Sequence, residues 1–241
     1  MTRPLALVTG AGQRVGAAIA RQLAVEGWSL LLHAFRSGGP ASELAQQLER
    51  STGVCCDVVT ADLRSREGRA ALCDLVREQA PEGFVHCASP YPAGPLGESS
   101  SAMVEAFEIG PIAASELLRA AYDAGNLQSA VMMLDARSAR GWAGRSAYLA
   151  AKAALESVTL TAAIELAPHT RVNGLALGAV EPTPWDEAWG ERLPEAALAQ
   201  TLTGRAVSPD EVARLTALLL SSSTAGVTGS IWRVDGGRMV R

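Results

Sequence analysis

Apolar runs of strand length alternate with helical patterns along the whole chain, and that rhythm leaves few folds open. The runs Leu5–Thr9, Ser29–His33, Val54–Val59, Gly83–Cys87, Ala130–Asp135, Thr170–Ala176 and Ser230–Val234 read as strands. Helical patterns lie between them, near 15–26, 40–50, 65–79, 99–124, 146–167 and 209–221. Such alternation marks βαβ units, in which helices cover both faces of a parallel sheet. Seven strands and six crossovers fill the 241 residues, so one doubly wound α/β domain over 1–241 is expected.

Two segments break the rhythm. Ser89 to Leu96 is too rich in proline for either element, and Gly178 to Gln200 is too long for a plain connection. Both follow strands at their carboxyl ends, where open α/β sheets bind ligands, and the second reads as a substrate loop. The net charge of −4 offers no basic footprint for nucleic acid. No apolar run reaches the roughly 18 residues that a membrane helix needs. Met1 to Gly10 runs straight into a glycine turn and reads as a first strand, which makes the cytoplasm the expected compartment. Cys55, Cys56, Cys73 and Cys87 have no ligand or disulfide spacing and read as small buried hydrophobes. No metal site is expected.

Thr9-Gly10-Ala11-Gly12-Gln13-Arg14-Val15-Gly16 joins the first strand to the first helix. Glycines there allow a tight turn and let backbone amides reach a pyrophosphate at the positive end of the helix. Val15 occupies the last glycine of G-x-G-x-x-G, so the spacing fits T-G-x-x-x-G-x-G, with Arg14 at the middle glycine. The second strand bears on the choice of dinucleotide. NAD sites usually offer an acid to the ribose 2′-hydroxyl, whereas His33-Ala34-Phe35-Arg36-Ser37 contains none. A guanidinium beside a hydroxyl suits a 2′-phosphate, so His33, Arg36 and Ser37 point to NADP(H). Asp62-Leu63, after the third strand, is placed to contact adenine.

Tyr148-Leu149-Ala150-Ala151-Lys152 sets a phenol and an ammonium on one helical face. A lysine there is expected to lower the tyrosine pKa and make the phenol a usable proton donor. With Thr9-Gly10…Gly16, Asp62-Leu63, Cys87-Ala88-Ser89, Tyr148…Lys152, Arg171-Val172-Asn173 and Val234-Asp235-Gly236-Gly237 in this order, the chain resembles the short-chain dehydrogenase/reductase family over its whole length. The resemblance implies a Rossmann-like sheet in the order 3-2-1-4-5-6-7. It implies hydride transfer with NADPH/NADP+, Tyr148 as general acid and Lys152 on the nicotinamide ribose. It also places Gly10, Gly12, Arg14, Val15, Gly16, Cys87, Ala88, Ser89 and Gly178 around the cofactor.

The departures from the family pattern are informative. The family's serine, thirteen residues before its tyrosine, is here Asp135, and Ser138 is the nearby serine that could substitute. Asp135, Arg14 and His33-x-x-Arg36-Ser37 together resemble the pteridine reductases and dihydromonapterin or dihydrofolate reductases of the family. In that reading Arg14, Ser89, Tyr91, Asp135, Tyr148 and Trp185 meet a pterin, with Tyr91 stacked upon it. A pterin presents an imine, so a serine to polarise a carbonyl is dispensable. His86 and Cys87 replace two asparagines, Gly110 replaces a third that supports a relay water, and Leu177-Gly178 replaces Pro-Gly. The alternatives are a ketone or 3-oxoacyl reductase and a non-catalytic NADP(H)-binding sensor or scaffold. The apolar helix from Ser146 to Ala167, with the long one before it, suggests a homotetramer or homodimer.

Overall fold

The strands are apolar on both faces because both faces are covered, as in parallel sheets generally. The computed structural model describes residues 3–35, 38–97, 100–138, 140–181, 198 and 200–240. In chain order, Leu5–Thr9 (β1) and Arg14–Val25 (α1) are followed by Ser29–Ala34 (β2) and Gly39–Thr52 (α2). Cys56–Thr60 (β3), Arg66–Gln79 (α3) and Gly83–His86 (β4) come next. Ser100–Phe107 (α4), Ala113–Asp123 (α5), Ser129–Asp135 (β5) and Ser146–Glu165 (α6) follow. Arg171–Leu177 (β6), Pro209–Leu220 (α7) and Ile231–Val234 (β7) complete the succession.

All seven strands form one parallel sheet in the order β3-β2-β1-β4-β5-β6-β7, as the family resemblance implied. Successive side chains of a strand point to opposite faces. Ala6, Val8, Val131 and Met133 therefore pack with Ile19 and Leu23 of α1 and Val212 of α7. Leu7, Met132 and Leu134 pack on the other face with Leu72 of α3, Leu117 of α5 and Leu155 of α6. The strand order reverses on either side of β1, and such a switch point opens a crevice at the strands' carboxyl ends.

Polar side chains fasten the layers. The Arg171 guanidinium donates to the carbonyls of Leu219, Leu220, Ser221 and Val227, closing the carboxyl end of α7. Asn173 donates to Val227 O and accepts from Ser230 N, which anchors the turn into β7. The Arg-Val-Asn motif is thus an architectural clamp. Ser208 and Glu211 form a reciprocal capping box at the start of α7. The buried Arg69 ties α3 to α5 through Glu116 at 2.8 Å.

Three expectations need correction. The helix expected over 99–124 is interrupted by a π turn, Glu108–Ile112, which contains Pro111. Proline lacks an N–H and crowds the preceding turn, and the wider π geometry accommodates it. The cysteines are not uniformly buried: Cys56 and Cys73 are, Cys55 is exposed and Cys87 is intermediate. Finally, α6 is long and apolar enough by length and composition to cross a membrane. Its inner face, with Leu155 fully buried, is core, while Leu160 and Ile164 stand exposed on the outside.

Candidate active site

The turn between β1 and α1 is built around backbone contact. Gly10 lies at φ +66°, and a Cβ on Gly16 would fall 2.1 Å from Gly10 O, so a side chain is excluded there. The Thr9 hydroxyl accepts from Cys87 N at 3.0 Å and Ala88 N at 3.1 Å, joining this turn to the end of β4. With both acceptor directions used, Thr9 donates its proton to His86 Nδ1, 3.1 Å away. His86 is therefore the Nε2–H tautomer, and its buried Nε2 meets no acceptor in full hydrogen-bond geometry, the Ile109 backbone being the one that acts on the ring among the described residues. Burial holds the His86 pKa down at about 3, with the Lys152 charge acting in the same direction.

Arg14 occupies the family's glycine position at φ +50°, a left-handed conformation that a side chain rarely adopts. Its guanidinium lies near Cys87, Tyr148 and Tyr91, and partial desolvation lowers its pKa. The residue lines the crevice. Gly10, Val15 and Gly16 line the same crevice.

Other expected cofactor residues sit elsewhere. His33 is buried behind the turn: Nδ1 accepts from Gly10 N at 3.4 Å and Nε2 donates to Ala61 O at 3.0 Å. It braces the turn and is not presented to a ligand. Gly12 faces Pro40 and Ala41 of α2. Asp62 is paired with Arg64 at 2.7 Å, and Leu63 is buried in the core. None of these four lines the crevice. Arg36, Ser37 and Trp185 lie outside the described residues, as does most of the segment from Gly178 to Gln200.

Asp135 ends β5, and Tyr148 and Lys152 lie on the first turns of α6, whose inner face rests on β5 and β6. The Tyr148 phenol donates to Asp135 Oδ2 at 2.9 Å. Oδ1 accepts from Arg137 N at 2.7 Å, so the carboxylate is held from both sides. Lys152 Nζ donates to Met133 O at 2.7 Å and stands 5.8 Å from the Tyr148 ring centroid. The expected lowering of the tyrosine pKa is not found. Burial pushes Tyr148 well above its ordinary value, and the Asp135 charge and hydrogen bond add to the effect. Burial lowers the Lys152 pKa, partly offset by Cys87 and Asp135. Ser138 does not replace the family serine, because its hydroxyl donates to Glu156 Oε2 at 3.1 Å.

A strap closes the other side. Gly94 N donates to Gly144 O at 3.1 Å, tying the proline-rich segment to the connection before α6. That tie sets the Tyr91 ring 4.6 Å from the Tyr148 ring, edge to face. The Arg145 guanidinium covers Tyr91 at 4.0 Å, and Arg137 covers Trp142 at 4.9 Å. The enclosed cleft measures about 620 Å³, a size suited to a small organic ligand. Cys87, Ala88, Ser89, Gly178 and Met133 also line it. Burial pushes the Cys87 thiol up to about 11, which leaves it un-ionised and a poor nucleophile. Reading the sequence missed Arg137, Trp142, Arg145 and Arg238, all of which line the cleft. The available signal was Arg137, Arg140 and Arg145 with a lone tryptophan in one short connection.

Comparison with known proteins bears on this arrangement. A family profile described as enoyl-(acyl carrier protein) reductase matches residues 10–238. An uncharacterised oxidoreductase of Bacillus subtilis (strain 168) is 31% identical, over 96% of this chain and 97% of its own. Pteridine reductase 1 of Leishmania tarentolae is 29% identical, over 98% and 96%. A solved short chain dehydrogenase/reductase family protein superposes with a TM-score of 0.86 at 28% identity, covering 98% of this chain and 97% of that one.

Proposed function

The chain belongs to the short-chain dehydrogenase/reductase family of oxidoreductases, and within it we propose NADPH-dependent reduction of a dihydropterin to the tetrahydro form. The observation that carries the reading is the 2.9 Å hydrogen bond from Tyr148 to Asp135, a carboxylate at the place of the family's serine. Arg14 in the crevice and Tyr91 against Tyr148 support it, as does the likeness to a pteridine reductase.

The residues present fit a dinucleotide. The cradle at Gly10 and Gly16 has no room for side chains, and its amides and the start of α1 suit a pyrophosphate. Lys152, with one N–H on Met133 O, has donors left for the nicotinamide ribose. Arg36 and Ser37 are the residues for the 2′-phosphate. NADPH, when bound, supplies the hydride that reduces the imine carbon.

The chain's own part is the proton. Tyr148 must hold it until the imine nitrogen becomes basic, and a raised pKa keeps the phenol protonated at neutral pH. Asp135 orients the phenol, and its charge makes loss of the proton to bulk solvent unfavourable. Arg14, opposite Tyr148, is placed to receive the polar edge of the ring, and Tyr91 offers an aromatic edge beside it. The Tyr91 phenol, pushed up to about 12 mainly by burial, stays neutral and contributes surface.

Leu160 and Ile164 on α6, Val104 of α4 and Ile112 are exposed apolar side chains on elements that pack together, and a second copy would cover them. We therefore read the protein as a homotetramer or homodimer. Light scattering at micromolar concentration tests this, and a monomer would refute it. Free thiols at four described cysteines suit the reducing cytoplasm.

The decisive assay follows NADPH consumption with dihydrobiopterin, dihydromonapterin and dihydrofolate beside a ketone and an acetoacetyl thioester. Tyr148→Phe serves as the blank. Turnover of a dihydropterin that vanishes in the blank is the expected result. Turnover of the carbonyl compounds alone would overturn the substrate assignment. Tight NADPH binding without any turnover would overturn the catalytic reading.

A further inference from the structure

Among the described residues, the charges lining the cleft do not balance. Arg14, Arg137, Arg145, Lys152 and Arg238 line it, against two acids, Asp135 and Asp235. Both acids are already engaged by neutral donors. Asp135 accepts from Arg137 N and the Tyr148 phenol, and Asp235 accepts from Gly237 N and Met239 N. Among the described residues, neither Arg137 nor Arg238 has a carboxylate oxygen within ion-pair distance. The Arg137 guanidinium rests on the Trp142 ring, and among the described residues the Arg238 guanidinium hydrogen-bonds Gln200 Oε1, at 3.0 and 3.2 Å. The two cations are close enough for the Arg137 charge to act on Arg238, adding to the lowering of its pKa by burial, while the Asp135 and Asp235 charges offset part of it. All this stands in a chain whose net charge is −4.

Adjacent unpaired guanidinium groups in a partly desolvated wall are unfavourable unless something anionic joins them. The cofactor's pyrophosphate is not that group. Its cradle follows β1, whereas Arg137 follows β5 and Arg238 follows β7, with β4 and then β6 intervening in the sheet. Their place is on the substrate side, with Asp135, whose charge also acts on Arg238. We infer that Arg137 and Arg238 form a second recognition pole of the cleft, which binds an acidic substituent, a carboxylate or a phosphate, carried by the substrate. Resting on the dihydropterin reading, this makes the substrate a dihydropterin with an anionic tail. The Trp142 ring centroid lies 4.9 Å from the Arg137 guanidinium carbon and takes none of its N–H donors, which stay available for a two-pronged contact with an oxyanion.

The test compares kcat/KM for dihydrofolate, which carries carboxylates, dihydroneopterin phosphate and the uncharged dihydrobiopterin. The proteins are the wild type, R137M/R238M and R137K/R238K. An anionic substrate is expected to lead the neutral one by about tenfold or more at low salt. That lead should collapse at high salt and in R137M/R238M through KM, with kcat kept, and return in part in R137K/R238K. Whichever anionic compound leads identifies the tail as carboxylate or phosphate. Equal kcat/KM for neutral and anionic substrates, or an equal loss on both in R137M/R238M, would overturn the proposal. If no dihydropterin turns over, the substrate reading fails separately. Calorimetric titration of NADP+-loaded protein with p-aminobenzoylglutamate and with inorganic phosphate then decides the pole. Binding of either by the wild type and its loss in R137M/R238M would uphold the pole, and binding of neither by the wild type would overturn it.

Discussion

His86→Asn isolates one buried histidine and gives a pH-dependent stability that can be worked out beforehand. In the folded protein His86 is 1% exposed, accepts a hydrogen bond from the Thr9 hydroxyl at Nδ1, and has its pKa held at about 3. In the unfolded chain the same ring titrates near its ordinary value of about 6.5. Between those two values the unfolded state binds a proton that the folded state does not, so stability falls as the pH falls. At about pH 5 the gap is roughly one and a half pH units at about 1.4 kcal/mol each, or about 2 kcal/mol relative to neutral and alkaline pH. Asparagine keeps a polar group for Thr9 and cannot take up that proton. Whatever it costs in packing is the same at every pH. Urea unfolding at fixed protein concentration, at about pH 8 and about pH 5, should show the wild type losing about 2 kcal/mol more than the variant. His33, also buried with a lowered pKa, is present in both proteins and cancels. Parallel losses in the two proteins would refute the assignment of a neutral, proton-refusing His86.

Three further outcomes follow from the same geometry. Asp135→Ser removes the charge that helps to raise the Tyr148 pKa, so the alkaline limb of kcat/KM for reduction should move to lower pH, and an unmoved limb would refute the role of the carboxylate. Arg14→Gly relieves a left-handed conformation costing about 1 kcal/mol, largely offset by glycine's unfolded-state entropy. Its melting temperature should therefore stay within about 3 °C while KM for the dihydropterin rises about tenfold, and an unchanged KM would show that Arg14 does not meet substrate. Arg171→Ala removes the donor shared by the Leu219, Leu220 and Ser221 carbonyls at the end of α7 and by Val227 O, so a loss of about 2–3 kcal/mol, or about 5–10 °C, is expected in calorimetry with KM unchanged.

What could be read in advance separates along a physical line. The strands were legible because a parallel strand buried on both faces must be apolar throughout, and Leu5–Thr9 and Ala130–Asp135 announce themselves by that alone. Tyr148, Lys152 and Asp135 were legible because their spacing is fixed by one helix turn and by the end of one strand. The π turn at Pro111 was not, since its apolar period is nearly that of the helix on either side. His33 was misassigned because a residue at a strand's end can point to the ligand or to the backbone behind it. Only the bonds to Gly10 and Ala61 decide between the two.

The tyrosine pKa went the other way for a related reason. Tyr148 and Lys152 share a helix face, but sequence spacing does not say where an ammonium spends its hydrogen bond. Here it goes to Met133 O, and the nearer partner of the phenol is a carboxylate. Substituting Asp135 for serine thus changes more than one contact. It turns a phenol that lysine would draw toward ionisation into one kept protonated, which favours giving a proton to a ring nitrogen that is becoming basic. The arginines of the β5–α6 connection belong to the same logic. Asp135 and Asp235 act on Arg238 through their charge, but among the described residues neither forms an ion pair with Arg137 or Arg238, and the two acids face five cations. The carboxylate that tunes the proton donor therefore offsets only part of the positive charge on its own side of the cleft, and an anionic tail would offset more of it.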